Sequence, residues 1–206
     1  MADAFRVGVL ASGAGTNLQA LLDKVHGSDG IEVVAVASNK PDAKALARAR
    51  DAGIETEVFR VDDYPDRTLR DVALADWLDE REVHLVVLAG FMEILSSGLI
   101  DRFRGRIVNV HPSLLPAFPG VRAIEKALDY GVRVTGVTVH FVDEGVDSGP
   151  IIMQEAFELP YHRDIREVET RIHEIEHELL PRAVRLIAAG GVEIVGRQVM
   201  VRDGGS

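Results

Sequence analysis

Residues 84–89, His-Leu-Val-Val-Leu-Ala, hold no polar side chain after His84, and this run constrains the fold more than any other stretch. A strand with one wet face alternates polar and apolar residues. A run that is apolar on both faces belongs inside a parallel sheet covered by helices. The flanking pattern agrees. Residues 5–10 read as a first strand, and Leu18, Leu21, Leu22 and Val25 form a helical stripe behind it. A second strand is expected at 31–37, an Ala- and Arg-rich helix at about 42–52, and a short third strand at 56–59. The spacing predicts a helix over 65–80 with Leu69, Val72, Ala73 and Leu78 facing inward, and residues 107–110 form a further short strand. Strand and helix alternate, so the expected class is α/β: doubly wound around a mostly parallel central sheet, with ligands at the carboxyl ends of the strands.

After Gly131 the pattern changes. Two long β-type runs, 132–142 and 150–159, are joined by an Asp- and Gly-rich loop, which implies an antiparallel excursion. A long C-terminal helix follows, with Ile165, Val168, Ile172, Ile175 and Leu179 spaced 3, 4, 3 and 4 apart. Gly190-Gly191 ends it, and a closing hairpin is expected at about 192–203.

The 206 residues carry a formal net charge of −10, with no run of Lys or Arg, which argues against a nucleic-acid partner. Cysteine is absent, so disulfides, thiolate nucleophiles and Cys-based zinc sites are excluded. With no long apolar segment and no basic leader, no membrane partner and a cytoplasmic location are the expectations.

Three constellations carry candidate chemistry. Ser12-Gly13-Ala14-Gly15-Thr16-Asn17 lies between the first strand and its helix, where glycines admit a ligand and free helix N–H groups suit a phosphate. Leu18 replaces the third glycine of a dinucleotide fingerprint, and Ser38-Asn39-Lys40 supplies no ribose-binding acid. The alternative is a tight turn with Thr16 as the helix cap. His173-Glu174-Ile175-Glu176-His177 matches the H-E-x-x-H zinc motif, but it lies in a strongly charged helix without a downstream third ligand, so a chance match is the better account.

The third is Asn109-Val110-His111, whose outer residues point the same way along a strand that ends at Pro112. An amide and an imidazole so placed either tie down a strand end or stabilise a developing oxyanion. The loop Asp143-Glu144-Gly145-Val146-Asp147-Ser148-Gly149-Pro150 could supply a matching carboxylate. Ser12, Ser113 and Ser148 lie outside any Gly-x-Ser-x-Gly elbow, so the substrate must bring the nucleophile.

Residues 109–116, Asn-Val-His-Pro-Ser-Leu-Leu-Pro, together with Asp147-Ser148-Gly149-Pro150, resemble the signature of the folate-dependent formyltransferases. The likeness runs from about residue 6 to 185. The loop at 12–17, Ser38-Asn39-Lys40 and Leu88-Ala89-Gly90-Phe91-Met92 resemble the branch that acts on glycinamide ribonucleotide. Phe118-Pro119-Gly120 sets the chain apart from the methionyl-tRNA formyltransferases, and His111-Pro112-Ser113 from the formyltetrahydrofolate hydrolases, which carry His-His-Ser.

The resemblance implies a Rossmann-like formyltransferase fold in a single domain over 1–206. Its nucleotide-phosphate half would run to about 105 and its folate and catalytic half over about 106–190. It implies formyl transfer from 10-formyltetrahydrofolate, without metal, by a monomer or homodimer. Asn109 and His111 would stabilise the oxyanion, and Asp147 would orient the imidazole and relay a proton. Gly15, Thr16, Asn17, His173 and Glu176 would hold the ribonucleotide. Arg67, Met92, Ile94, Leu95, Val142, Asp143, Glu144 and Asp147 would hold the folate. Glu93 stands where some relatives have an arginine that holds the folate's acidic tail, and His173 replaces a glutamine seen in some members. Hydrolysis of 10-formyltetrahydrofolate, or a silent binding module of the same fold, are the alternatives.

Overall fold

A computed structural model describes residues 4–161 and 164–202. The chain forms two compact units, Met1–Val108 and Asn109–Ser206. In the first, β1 (Phe5–Leu10), β2 (Ile31–Ser38), β3 (Glu55–Val58) and β4 (Leu85–Leu88) alternate with α1 (Thr16–Lys24), α2 (Lys44–Asp51), α3 (Arg67–Glu80) and α4 (Ser97–Arg102). The strands are parallel in the order β3-β2-β1-β4. All four β4 residues are buried, as the unbroken apolar run requires. Helix α1 packs on α2, and α3 on α4. Strand order reverses between β1 and β4, the kind of switch point at which open α/β sheets place ligands.

Helix α3 corrects the sequence reading. Leu69 and Val72, expected inside, are exposed, while Arg70, Asp71, Leu74, Ala75, Trp77 and Leu78 form the buried face. Both stripes have helical spacing. The apolar count favoured the wrong one because Arg70 and Asp71 neutralise each other inside, Arg70 Nε donating to Asp71 Oδ1 at 2.6 Å. Thr16, the helix cap in the alternative reading of the 12–17 loop, does not cap α1: Gly15 is the N-cap, at φ 71°, and no side chain caps the helix.

Strand β5 (Ile107–His111) crosses the boundary between the units, so that Asn109–His111 begin the second. There, α5 (Ala123–Tyr130), β6 (Val134–Phe141), β7 (Ile151–Glu158) and α6 (Ile165–Ala188) follow, and β8 (Val192–Val195) and β9 (Gln198–Val201) form the closing hairpin. Residue 203, the end of the expected hairpin, lies outside the described residues. β6 and β7 are antiparallel, as expected, and β9 joins β7 in parallel. Helices α4 and α5, which the sequence reading lacked, are short, at six and eight residues.

Helix α6 lies against β6 and β7 and buries Val168, Ile172, Ile175, Leu179, Leu180 and Val184. Each such side chain contributes about 1.5–3 kcal/mol of burial. Among the described residues, no helix is long and apolar enough to cross a membrane.

The β6–β7 contact is close at Gly136, where an added Cβ would lie 2.0 Å from the Glu155 carbonyl oxygen and 2.7 Å from Leu114 Cδ2. Neither the backbone nor the paired strand can yield cheaply. Gly136→Ala is expected to lower stability by about 2–3 kcal/mol, read as a drop in the urea midpoint at unchanged slope.

Candidate active site

The carboxylate of Asp147 gathers the expected catalytic residues. Its Oδ2 accepts the Gly120 N–H at 2.7 Å and lies 3.3 Å from His111 Nδ1. Its Oδ1 accepts from Asn109 Nδ2 at 3.3 Å. The strand geometry explains why one carboxylate meets both: Asn109 and His111 are two residues apart on β5 and share a face. Asp147 itself sits in the left-handed region at φ 50°, on a loop closed by Asp143. Asp143 Oδ1 accepts from Gly145 N at 3.1 Å and from Ser148 Oγ at 2.6 Å.

Sequence reasoning missed His140, which is buried on β6. Its Nδ1 lies 2.8 Å from the Phe141 carbonyl oxygen, an acceptor, so Nδ1 carries the proton and Nε2 is left to accept. Asn109 Nδ2 sits 3.2 Å from that Nε2. The two amide hydrogens of Asn109 are therefore divided between His140 and Asp147, and the reversed amide would set its oxygen against a carboxylate. The available signal was an ionisable residue in a β-type run: in Val-Thr-Val-His-Phe, His140 lies in a stretch of β6 that is buried from Thr135 to Phe141.

His111 is 5% exposed. Its Nε2 lies 2.9 Å from the Phe118 carbonyl oxygen, so both ring nitrogens face acceptors. Burial pushes the His111 pKa down, and the Phe118 carbonyl and the Asp147 charge pull it back only in part. The resting ring is neutral near pH 7, yet an acceptor already waits for a second proton. Burial also pushes Asp147 upward. The Gly120 N–H, together with the His140 ring 3.6 Å away and the His111 ring when these carry their second proton, outweighs it and lowers the pKa to about 2.

The loop after β5 is held firmly. Buried Thr138 donates its hydroxyl to the Ser113 carbonyl at 2.7 Å and accepts the Leu115 N–H at 3.1 Å. Gln154 Nε2 donates to both Leu115 O and Thr138 Oγ1, each at 2.9 Å.

On α6, Glu176 is buried within the apolar stripe, and His173 Nδ1 lies 3.1 Å from its Oε2. That hydrogen bond raises the His173 pKa, against a smaller opposing effect of burial. Glu174 is exposed, and among the described residues no group of three or more His, Cys, Asp or Glu could hold a metal ion. Val142 and Asp143 are half-buried, and Glu144 is exposed.

In the first unit, the loop at Gly15 rests on α2. A Cβ on Gly15 would fall 2.6 Å from Ala45 Cα, Ala45 N donates to the Gly13 carbonyl at 3.1 Å, and Arg48 Nε donates to the Ala14 carbonyl at 2.9 Å. Thr16 and Asn17 open α1, whose first turn has no acidic residue. Arg67 is exposed at the start of α3, below the Asp66 cap. Met92 and Ile94 are 66% and 60% exposed, whereas Leu95 is buried in the core. Glu93 is half-buried and turns inward to the Arg70 guanidinium.

A formyl transferase family model matches residues 5–184, and the chain belongs to that family, in its phosphoribosylglycinamide branch. Glycinamide ribonucleotide transformylase 1 from Symbiobacterium toebii superposes with a TM-score of 0.95 at 45% identity, covering 98% of this chain and 96% of that one. Phosphoribosylglycinamide formyltransferase from Mycobacterium tuberculosis is 43% identical over 192 residues, 93% of this chain and 89% of the relative. The trifunctional purine biosynthetic protein adenosine-3 of Drosophila pseudoobscura pseudoobscura is 46% identical over 193 residues, 92% of this chain. The chain spans only 14% of that relative's length.

Proton titration follows from the site's charges. Because the folded pKa of Asp147 is about 2 against an ordinary 3.8, its stabilisation is full above pH 3.8 and lost as pH falls through 2. The lost stabilisation amounts to about 2 kcal/mol. In NMR titrations, His173 is expected to titrate above 6.5 and His111 below it. Asp147→Asn should move His111 lower still. A His111 midpoint that rises in this variant would contradict the arrangement.

Proposed function

We propose that this chain transfers the formyl group of 10-formyltetrahydrofolate to the amine of glycinamide ribonucleotide. The observation that carries the reading is the single carboxylate of Asp147 serving both Asn109 and His111, with no serine or thiol nucleophile among its partners. The substrate amine attacks the formyl carbon, and the carbonyl π pair moves onto oxygen. The new tetrahedral centre needs donors for its oxyanion and an acceptor for the amine proton.

His111 suits this task. It is neutral at rest and bordered by two acceptors, so a proton taken up by the ring is stabilised by Asp147 while the imidazolium faces the oxyanion. For Nε2 to serve the oxyanion, it exchanges the Phe118 carbonyl for the formyl oxygen. Asn109 is oriented by His140 and Asp147 and supplies the amide donor by a similar exchange. Collapse of the intermediate breaks the bond from carbon to the folate nitrogen, which leaves with a proton as tetrahydrofolate. No step calls for a metal.

The ribonucleotide phosphate is assigned to the Gly15–Asn17 loop, where the uncapped start of α1 presents N–H groups and no acid repels an anion. His173, positively charged below its raised pKa, and the buried Glu176 are assigned to the ribonucleotide's polar groups. For the folate, the residues assigned in the first unit are Arg67, Met92, Ile94 and Leu95, and those assigned in the second are Val142, Asp143, Glu144 and Asp147.

His111→Ala and Asp147→Ala are each expected to lower kcat by about 10²–10⁴-fold, measured as consumption of 10-formyltetrahydrofolate with both substrates present. Turnover is expected to survive a chelator. Formate release at the same rate without glycinamide ribonucleotide would instead identify a hydrolase.

A further inference from the structure

The formyl-transfer chemistry leaves one buried polar network in the first unit unexplained. On α3, Arg70 and Asp71 are both fully buried, on a face where leucine would be more stabilising. Arg70 Nη1 is hydrogen-bonded to Glu93 Oε2, and Arg70 Nη2 is buried with no acceptor. A buried donor left unpaired costs stability, so the cluster is not explained by stability alone.

Apart from Arg70 Nη1 donating to the Phe59 carbonyl at 3.4 Å, its connections lead to one segment. Asn39 Nδ2 donates to Glu93 Oε1 at 2.6 Å, Ser12 Oγ donates to Asn39 Oδ1 at 2.6 Å, and the Met92 N–H donates to Ser12 Oγ at 2.8 Å. At the far end, the Ser96 N–H donates to Asp71 Oδ2 at 2.5 Å. Residues 92–96 have no helix or strand of their own, yet they are fastened at Met92, Glu93 and Ser96. Within them, Glu93 and Leu95 point inward while Met92 and Ile94 project outward. Two apolar side chains held out on a pinned segment beyond the carboxyl end of β4 make a platform for a flat apolar ligand surface.

We infer that Glu93, clamped between Arg70 and Asn39, is a positioning residue that sets the projection of Met92 and Ile94 for folate recognition. This rests on the assignment of those two side chains to the folate. An arginine at 93 would face the buried Arg70 guanidinium, and the clamp could not close.

Steady-state kinetics and direct folate binding, with thermal melting alongside, test the inference on the full chain. Glu93→Ala is expected to raise KM for 10-formyltetrahydrofolate by about tenfold or more, with kcat and KM for glycinamide ribonucleotide within about twofold. Glu93→Gln, which keeps an acceptor for Asn39, should lie between wild type and Ala. Glu93→Arg should be worse than Ala, and adding Arg70→Met should recover part of the folate affinity. An unchanged folate KM in Glu93→Ala overturns the inference, as does a parallel rise of both KM values with a lowered Tm. Wild-type protein that binds folate without transferring formyl refutes the proposed reaction and leaves the inference standing. Wild-type protein that binds no folate refutes both.

Discussion

A carboxylate placed among neutral donors and a buried imidazole governs the second unit. Asp147 is the one group that Asn109, His111 and Gly120 share, and its backbone occupies a left-handed conformation on a loop braced by Asp143. If the carboxylate were neutral, Asn109 would lose an acceptor and His111 would lose the charge that favours its protonated form. Its low pKa is thus a condition of the site's geometry as much as of its chemistry.

Elsewhere the chain buries charge for different ends. Glu176 sits in an apolar helix stripe with His173 as neighbour, and Arg70 sits in another between two carboxylates. Neither arrangement maximises stability, since well-packed apolar side chains of similar volume generally equal or exceed buried ion pairs. Both lie beside residues assigned to ligands. In these places the chain retains charge for orientation, while the packing of β4 and the apolar face of α6 supplies the cohesion.

Much of this was legible in the amino-acid order. The unbroken apolar run at β4, the change of period after Gly131 and the 3-4-3-4 stripe of α6 each follow from how side chains alternate on strands and helices. That Asn109 and His111 share a face was anticipated from strand alternation, and Asp147 from the family resemblance; the structure brings the three together. The inner face of α3 was not legible, because hydrophobicity alone picks Leu69 and Val72 and cannot register that Arg70 has two anions to meet. Asp71 adjoins it in sequence, but Glu93 is 23 residues away, and only folding joins them. His140 was missed for a related reason. A histidine in a buried strand declares its role only when its partners, here Asn109 and the Phe141 carbonyl, are known.

The Arg70–Asp71–Glu93 cluster also bears on how this chain can change over time. Removing Arg70 leaves Asp71 buried without its counter-charge, at a cost of about 3–5 kcal/mol, a large part of a domain's stability. Positions 70 and 93 are therefore coupled. An arginine at 93 meets less repulsion once the guanidinium at 70 is gone, so electrostatics favours one order for those two substitutions over the other.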